Sequence, residues 1–218
     1  MWAGKYSRVL GKVQKAVKRV LSCEAHDLDH VKRVVTACHA IAEHEGGVNS
    51  QVLELAAWMH DIARGKEGNK PGLDHAAKGA RMARSILRRA GVRPNLFRRV
   101  ATCIRYHRHR SSGCAGGHEP SIEEKILFDA DKLDGTGAIG IGRIFAMGQK
   151  NGQSLYLSMP LDEYRKMNLE GAKLDGRILC LQKHAPNIEI QIKLEEYPNI
   201  MQTETGKRVA RKRLEFMK

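Results

Sequence analysis

An all-α fold follows from three observations on this 218-residue chain. Apolar residues recur at three- and four-residue intervals along nearly every segment, alternating runs are almost absent, and residues that start and stop helices bracket the apolar stretches. The best alternating run, NIEIQIKLEEY over residues 187–197, stands alone and is expected to be helical or irregular. No repeat or low-complexity segment interrupts the pattern, and the chain is read as one domain spanning 1–218. Within it, residues 1–22 form a first helix, 22–150 the core and 151–218 a helical extension.

The elements follow in order. MWAGKYSRVLGKVQKAVKRVL is basic and amphipathic, and its Val9, Leu10, Val13, Val17, Val20 and Leu21 are expected to pack on the core. From Leu28 the residues Val31, Val34, Val35, Cys38 and Ile41 keep helical spacing, with Asp27 as the N-cap and Gly46-Gly47 as the stop. The next helix is expected to begin after Asn49-Ser50 and run to Ala63, which puts His60 and Asp61 in its last two turns. Asp74 caps HAAKGARMARSILRRA, which Gly91 closes, and Pro94-Asn95 opens LFRRVATCIRYH. A Gly- and Ser-rich loop over 109–120 follows and is expected at the mouth of the site. Ser121 and Glu124 then form a capping box for the helix that carries Asp129, Asp131 and Asp134.

Composition narrows the functional classes. The hydrophobic content of 42% suffices for a sizeable core, and no apolar run approaches membrane-spanning length, so no membrane partner is expected. The N-terminus lacks the apolar block and cleavage site of a signal peptide. The five cysteines (Cys23, Cys38, Cys103, Cys114, Cys180) are odd in number and form no C-x-x-C pair, which implies reduced thiols in a cytoplasmic setting. Lysine and arginine number 38 against 24 acidic residues, a formal charge of +14 that favours anionic partners. The basic residues occur in nearly every segment, and aromatics make up only 5%, so no stacking platform for single-stranded nucleic acid is evident.

The residues that carry chemistry are His30 in HDLDHVKRV, His60-Asp61 in AAWMHDIA, and Asp131 in ILFDADKLDGTGAIGIGR. A His-Asp dipeptide is common by chance, and His26-Asp27 is another. The pair at 60–61 differs because Trp58, Met59, Ile62 and Ala63 flank it, and charged side chains rarely enter such a run unless paired or coordinating. Two imidazoles and two carboxylates suit Mn, Fe, Co, Ni or Zn, with Mg less favoured, and leave positions open for water and substrate.

The order H…HD…D, with a basic residue after the last Asp, resembles the HD-domain metal-dependent phosphohydrolase superfamily. DADKLDGTGAIGIGRIFA and PNIMQTETGKRVARKRLEFM are similar to segments of one uncharacterised bacterial branch, so the resemblance spans about residues 22–218. It implies an orthogonal helical bundle with a metal held by His30, His60, Asp61 and Asp131. Asp131 is preferred to Asp129 because the superfamily's last ligand directly precedes the basic residue, here Lys132. Some members carry two further histidines for a second ion, and His75 and His107 occupy those places, leaving one ion or two; His109 is expected on the rim. Lys132 resembles a phosphate contact, Asp134 is expected to orient a ligand or take a proton, and Arg33 or Arg64 could reach substrate. Some branches use a Glu soon after the His-Asp pair; here Glu67 is offset beyond Gly65.

The resemblance thus implies hydrolysis of a phosphoester or phosphoanhydride in a nucleotide or another small phosphorylated substrate. The competing expectation is a basic nucleic-acid-binding or regulatory protein on the same scaffold. A complete ligand set favours the enzyme, since a binding module has no need of it.

Overall fold

The computed structural model describes residues 2–21, 28–63, 74–108, 118–174 and 178–218. Among them are ten α-helices and no strand, as the periodicity predicts: α1 (Trp2–Leu21), α2 (Leu28–Ala42), α3 (Ser50–Met59), α4 (His75–Arg89), α5 (Pro94–Tyr106), α6 (Ile122–Leu133), α7 (Gly137–Lys150), α8 (Leu161–Asn168), α9 (Pro186–Ile200) and α10 (Glu204–Glu215). The chain divides into two compact units, Met1–Asp131 and Lys132–Lys218. The expected N-cap Asp27, together with Arg64, Gly65, Glu67, His109 and most of the 109–120 loop, lies outside the described residues.

In the first unit α3 is the most apolar helix of the core, with Val52, Leu53 and Leu55 through Met59 all buried and Gln51 and Glu54 half-buried. A helix that buries most of its circumference belongs at the centre of a core, and α1, α2 and α5 pack around it while α4 packs on α5. Val9, Val13, Val17 and Leu21 form the buried stripe of α1; Leu10 and Val20, also expected there, sit at its edges and are half-buried. The Tyr6 hydroxyl donates to Glu54 Oε2 at 2.6 Å and ties α1 to α3. Burial, reinforced by that carboxylate, raises the Tyr6 pKa well above its ordinary value.

Local chemistry sets the helix ends. Asn49 and Asp74 accept from the backbone N–H groups of Val52 and Ala77 at 3.1 and 2.9 Å. Ser121 and Glu124 bond reciprocally at 3.4 and 3.3 Å, the expected capping box. Gly91 closes α4 at a φ of 77°; α2 stops at Ala42, ahead of the expected Gly46-Gly47, where the amides of His44 and Glu45 bond Ile41 O and Ala42 O, and Gly47 has a φ of 73° in the connection to α3. One boundary differs from expectation: α3 stops at Met59, so His60 is its C-cap and Asp61–Ala63 form a turn. The Ile62 amide bonds Met59 O three residues back, and the His60 ring takes Ala57 O at 2.8 Å, a carbonyl that one more helical turn would have engaged.

In the second unit, Tyr164, Leu169, Ala185, Ile188 and Ile192 form the core. The segment 187–197 is helical, within α9. A buried polar chain runs beside this core. Asn168 Nδ2 donates to the Tyr164 hydroxyl (3.1 Å), that hydroxyl meets His184 Nδ1 (2.7 Å), and His184 Nε2 meets Glu189 Oε2 (3.2 Å). Lys193 Nζ lies 3.3 Å from Glu189 Oε1 and donates to the Tyr197 hydroxyl at 2.9 Å.

Burial alone would raise the Glu189 pKa, but the His184 hydrogen bond and the Lys193 charge outweigh it and hold the carboxyl below its usual range. A carboxyl depressed in the folded state stabilises the fold above its unfolded pKa, and that contribution disappears as pH falls through the folded value. The stability lost on Glu189→Gln should therefore be greatest near neutrality and shrink below about pH 4.5. Urea unfolding of both proteins across pH 3–7 measures it, and a difference independent of pH would contradict the assignment.

Candidate metal centre

Four helices and one turn of the first unit bring the expected ligands together. His30 comes from the first turn of α2, His60 and Asp61 from the end of α3, Asp131 from α6 and His107 from the C-cap of α5. His30 Nε2 and His60 Nε2 are 3.2 Å apart. Asp131 Oδ1 lies 3.4 and 3.8 Å from these two nitrogens, and Asp61 Oδ2 lies 3.7 and 3.6 Å from them. His30, His60 and Asp131 offer ligand atoms that are all within 4.8 Å of one another; Asp61, close to both imidazoles, is not in this group, nor is Asp129, fully buried two residues before Asp131 and so on another face of α6.

Neighbouring contacts fix which atoms face inward. A carbonyl can only accept, so the 2.8 Å contact from His60 Nδ1 to Ala57 O puts the hydrogen on Nδ1 and leaves the Nε2 lone pair exposed to the cluster. His107 makes the same contact with Ile104 O at 2.6 Å, and its Nε2 points to Asp61 Oδ1 at 3.7 Å. Burial lowers the His60 pKa against the opposing pull of Asp61 and Asp131, so the ring is neutral at pH 7. The carboxylate–imidazole separations exceed hydrogen-bond length. Donors about 2.1 Å from a shared ion, at angles of about 100–130°, stand about 3.2–3.8 Å apart. Lone pairs and carboxylates converging at these distances fit a divalent cation.

Packing holds the cluster in place. The Glu123 carboxylate, buried at the start of α6, accepts from the Asn49 amide at 2.8 Å and from Arg99 Nη2 at 2.9 Å, which joins α6 to the start of α3 and to α5. Gly79 lets α4 approach His60: a Cβ there would lie 3.3 Å from Ile104 Cγ2 and 3.6 Å from His60 O. A glycine inside a helix is a sequence signal for such an approach, and the ligand pattern did not draw attention to it.

The other expected residues are placed as follows. His75 is the first residue of α4, half-buried, and its Nδ1 is buried with no hydrogen-bond partner. Arg33 stands one turn after His30 on α2 and Lys132 follows Asp131 on α6, both half-buried. Asp134 lies just past the end of α6 and accepts from Arg143 of α7. The thiols of Cys38 and Cys103 are buried and unpaired by disulfide, as expected, and burial raises both pKa values.

Residues 27–136 of the chain match the HD domain. The chain belongs to this family. Its sequence is 31% identical over 147 residues to the YpgQ protein of Bacillus subtilis, an alignment that covers 66% of this chain and 69% of that one. The crystal structure of Bacillus subtilis YpgQ in complex with ADP superposes with a TM-score of 0.70 at 24% identity, over 98% of this chain and 91% of that one. An HD-superfamily hydrolase from Bacillus thuringiensis superposes with a TM-score of 0.63 at 26% identity, over 97% and 92% of the two chains. A predicted HD-superfamily hydrolase from an uncultured Thermotogales bacterium gives 0.57 at 26% identity, over 95% and 84%. Among the described residues of this HD-family chain, no helix is long and apolar enough to cross a membrane.

Proposed function

We propose that this protein is a metal-dependent phosphohydrolase that cleaves a phosphoester or phosphoanhydride bond of a nucleotide. The observation that carries the reading is the approach of Asp61 Oδ2 and Asp131 Oδ1 to His30 Nε2 and His60 Nε2 at 3.4–3.8 Å, with the two nitrogens 3.2 Å apart, a set of imidazole and carboxylate donors that suits a divalent cation. Membership of the HD family, hydrolases among its relatives and the ADP bound by YpgQ support the reaction class and the nucleotide. A divalent ion held by these four residues supplies Lewis acidity to a water and to a phosphoryl oxygen. Asp61 and Asp131 neutralise the cation, and the backbone carbonyl of Ala57 fixes the His60 tautomer that can ligate. Lys132 and Arg33, each near a ligand-bearing position, are assigned to the substrate phosphates.

The test is a screen of purified protein, loaded in turn with Mn, Fe, Co, Ni, Zn and Mg, against nucleoside mono-, di- and triphosphates and a general phosphatase substrate. Bound metal is measured by elemental analysis. Release of phosphate or pyrophosphate from a nucleotide with one of these ions is expected. Failure with every ion while metal is bound would exclude the reading.

Asp61 presents its two oxygens to different imidazoles, Oδ2 to His30 and His60 and Oδ1 to His107. We assign a second ion to Asp61, His107 and His75, whose buried Nδ1 lacks a hydrogen bond. The double variant His75→Ala/His107→Ala should hold half the metal of the wild type, with a sharp fall in activity. Metal content equal to the wild type would make the site mononuclear.

A further inference from the structure

We propose that α1, α4 and α5 together form a docking surface for double-stranded nucleic acid, held through its phosphate backbone. The chain's positive charge is a property of this face. Residues 2–21 carry six lysines and arginines and residues 75–106 carry nine, with no aspartate or glutamate in either segment. The remainder of the chain holds 23 basic residues against 24 acidic ones and is close to neutral. An excess spread through the sequence in basic residues is therefore concentrated in three helices as net charge.

The three helices adjoin one another. α4 packs along α5, α1 packs on α4, and Lys5, Tyr6 and Val9 of α1 share a groove with Gly91, Val92 and Arg93 of the α4–α5 connection. Exposed basic side chains line α1 and α4, and Arg98 and Arg105 are exposed on α5, where Arg99 pairs with Glu123. On α1, Lys5, Arg8, Lys12, Lys15 and Arg19 are exposed at alternating three- and four-residue steps, a stripe about 21 Å long. On α4, Arg81, Arg84 and Arg88 repeat the pattern, each exposed one position after the buried Ala80, Ala83 and Leu87. Stripes of this kind suit a polyanion with closely spaced phosphates, where each contact releases a condensed counterion.

Two other anionic partners fit less well. A membrane-surface helix inserts its apolar face among lipids, whereas the apolar stripe of α1 is buried against the first unit's core. Single strands bind where exposed aromatic rings stack on bases, and among residues 4–21 of α1 and the residues of α4 and α5 no large hydrophobic side chain is exposed. Recognition through phosphates alone is left, and it is indifferent to base sequence. This surface is independent of the hydrolytic reading.

The experiment is fluorescence anisotropy of the full chain with a labelled mixed-sequence duplex of about 20 base pairs, over about 50–200 mM salt. Binding is expected with a linear fall of log K against log salt. The variant Lys12→Gln/Lys15→Gln/Arg84→Gln/Arg88→Gln should weaken it at least about tenfold and reduce the slope by about 3–4. A charge-matched variant of exposed residues in the second unit, Lys166→Gln/Lys183→Gln/Arg208→Gln/Lys212→Gln, should stay within about twofold of the wild type. Circular dichroism verifies that each variant is folded, and the pair Lys12→Gln/Lys15→Gln, with half the slope change, serves if the fourfold variant is not. The proposal fails if the wild type does not bind at 50 mM salt, or if both charge-matched variants weaken binding equally. It also fails if a single strand of the same length, or vesicles containing anionic lipid, bind more tightly than the duplex.

Discussion

Asp61→Ala is expected to abolish metal retention and nucleotide hydrolysis together, with the rate falling at least about 1,000-fold. The reason lies in the charge and position of one carboxylate. Oδ2 stands 3.7 and 3.6 Å from the nitrogens of His30 and His60, and Oδ1 stands 3.7 Å from that of His107. Removing the group leaves neutral imidazoles and Asp131 to hold a divalent cation in a largely buried site, with about half the compensating charge. Asp61→Asn separates charge from shape: it keeps an oxygen donor and the packing, so it should retain more metal than Asp61→Ala and still lose most activity. Elemental analysis after gel filtration, paired with initial rates, reads both. A metal content and rate near wild type for Asp61→Ala would remove Asp61 from the site.

Gly140→Ala should be the most destabilising single methyl addition in the second unit, costing about 3 kcal/mol and lowering Tm by about 6–12 °C. An added Cβ would lie 2.4 Å from the carbonyl carbon of Gly135 and 2.5 Å from its oxygen. Both are backbone atoms of the turn between α6 and α7, so no side-chain rotation relieves the clash. Gly142→Ala supplies the contrast on the same helix. Nothing lies within 4 Å of its added Cβ, and replacing an exposed helical glycine by alanine stabilises by up to about 1 kcal/mol. Thermal unfolding of the two variants should move in opposite directions; equal midpoints would mean the turn yields at little cost. The glycine-rich run after Asp131 thus has a packing reason.

Much of the molecule is legible locally. Asp74, Ser121 with Glu124, Pro94 and Gly91 act within four residues of themselves, so the chemistry that starts and stops their helices is visible wherever those residues stand in a line of sequence. The same holds at the start of the segment 187–197, where Pro186 opens α9 and a Glu189–Lys193 pair at i and i+4 supports it. Ligand chemistry was equally legible, because His60 and Asp61 sit in an apolar run that no unpaired polar group would occupy cheaply.

Other properties arise only when distant segments meet. The bare Nε2 of His60 follows from α3 ending two residues before Asp61 and freeing the Ala57 carbonyl, a boundary that the uninterrupted apolar run through Ala63 concealed. Which carboxylate of α6 faces His30 and His60 is a matter of helix rotation against α3 and α5, and Glu123 sets it by bonding Asn49 and Arg99. The chain Asn168–Tyr164–His184–Glu189 joins residues up to 25 positions apart and carries no short-range signal beyond its last pair. Charge behaves likewise: counting residues yields +14, while the packing of α1 on α4 and of α4 on α5 brings together the two segments that carry no aspartate or glutamate of their own. Spacing along a chain specifies periodicity and caps because those depend on neighbours a turn away. Convergence depends on rotamers and helix packing across 30 to 100 residues, and only the folded chain decides it.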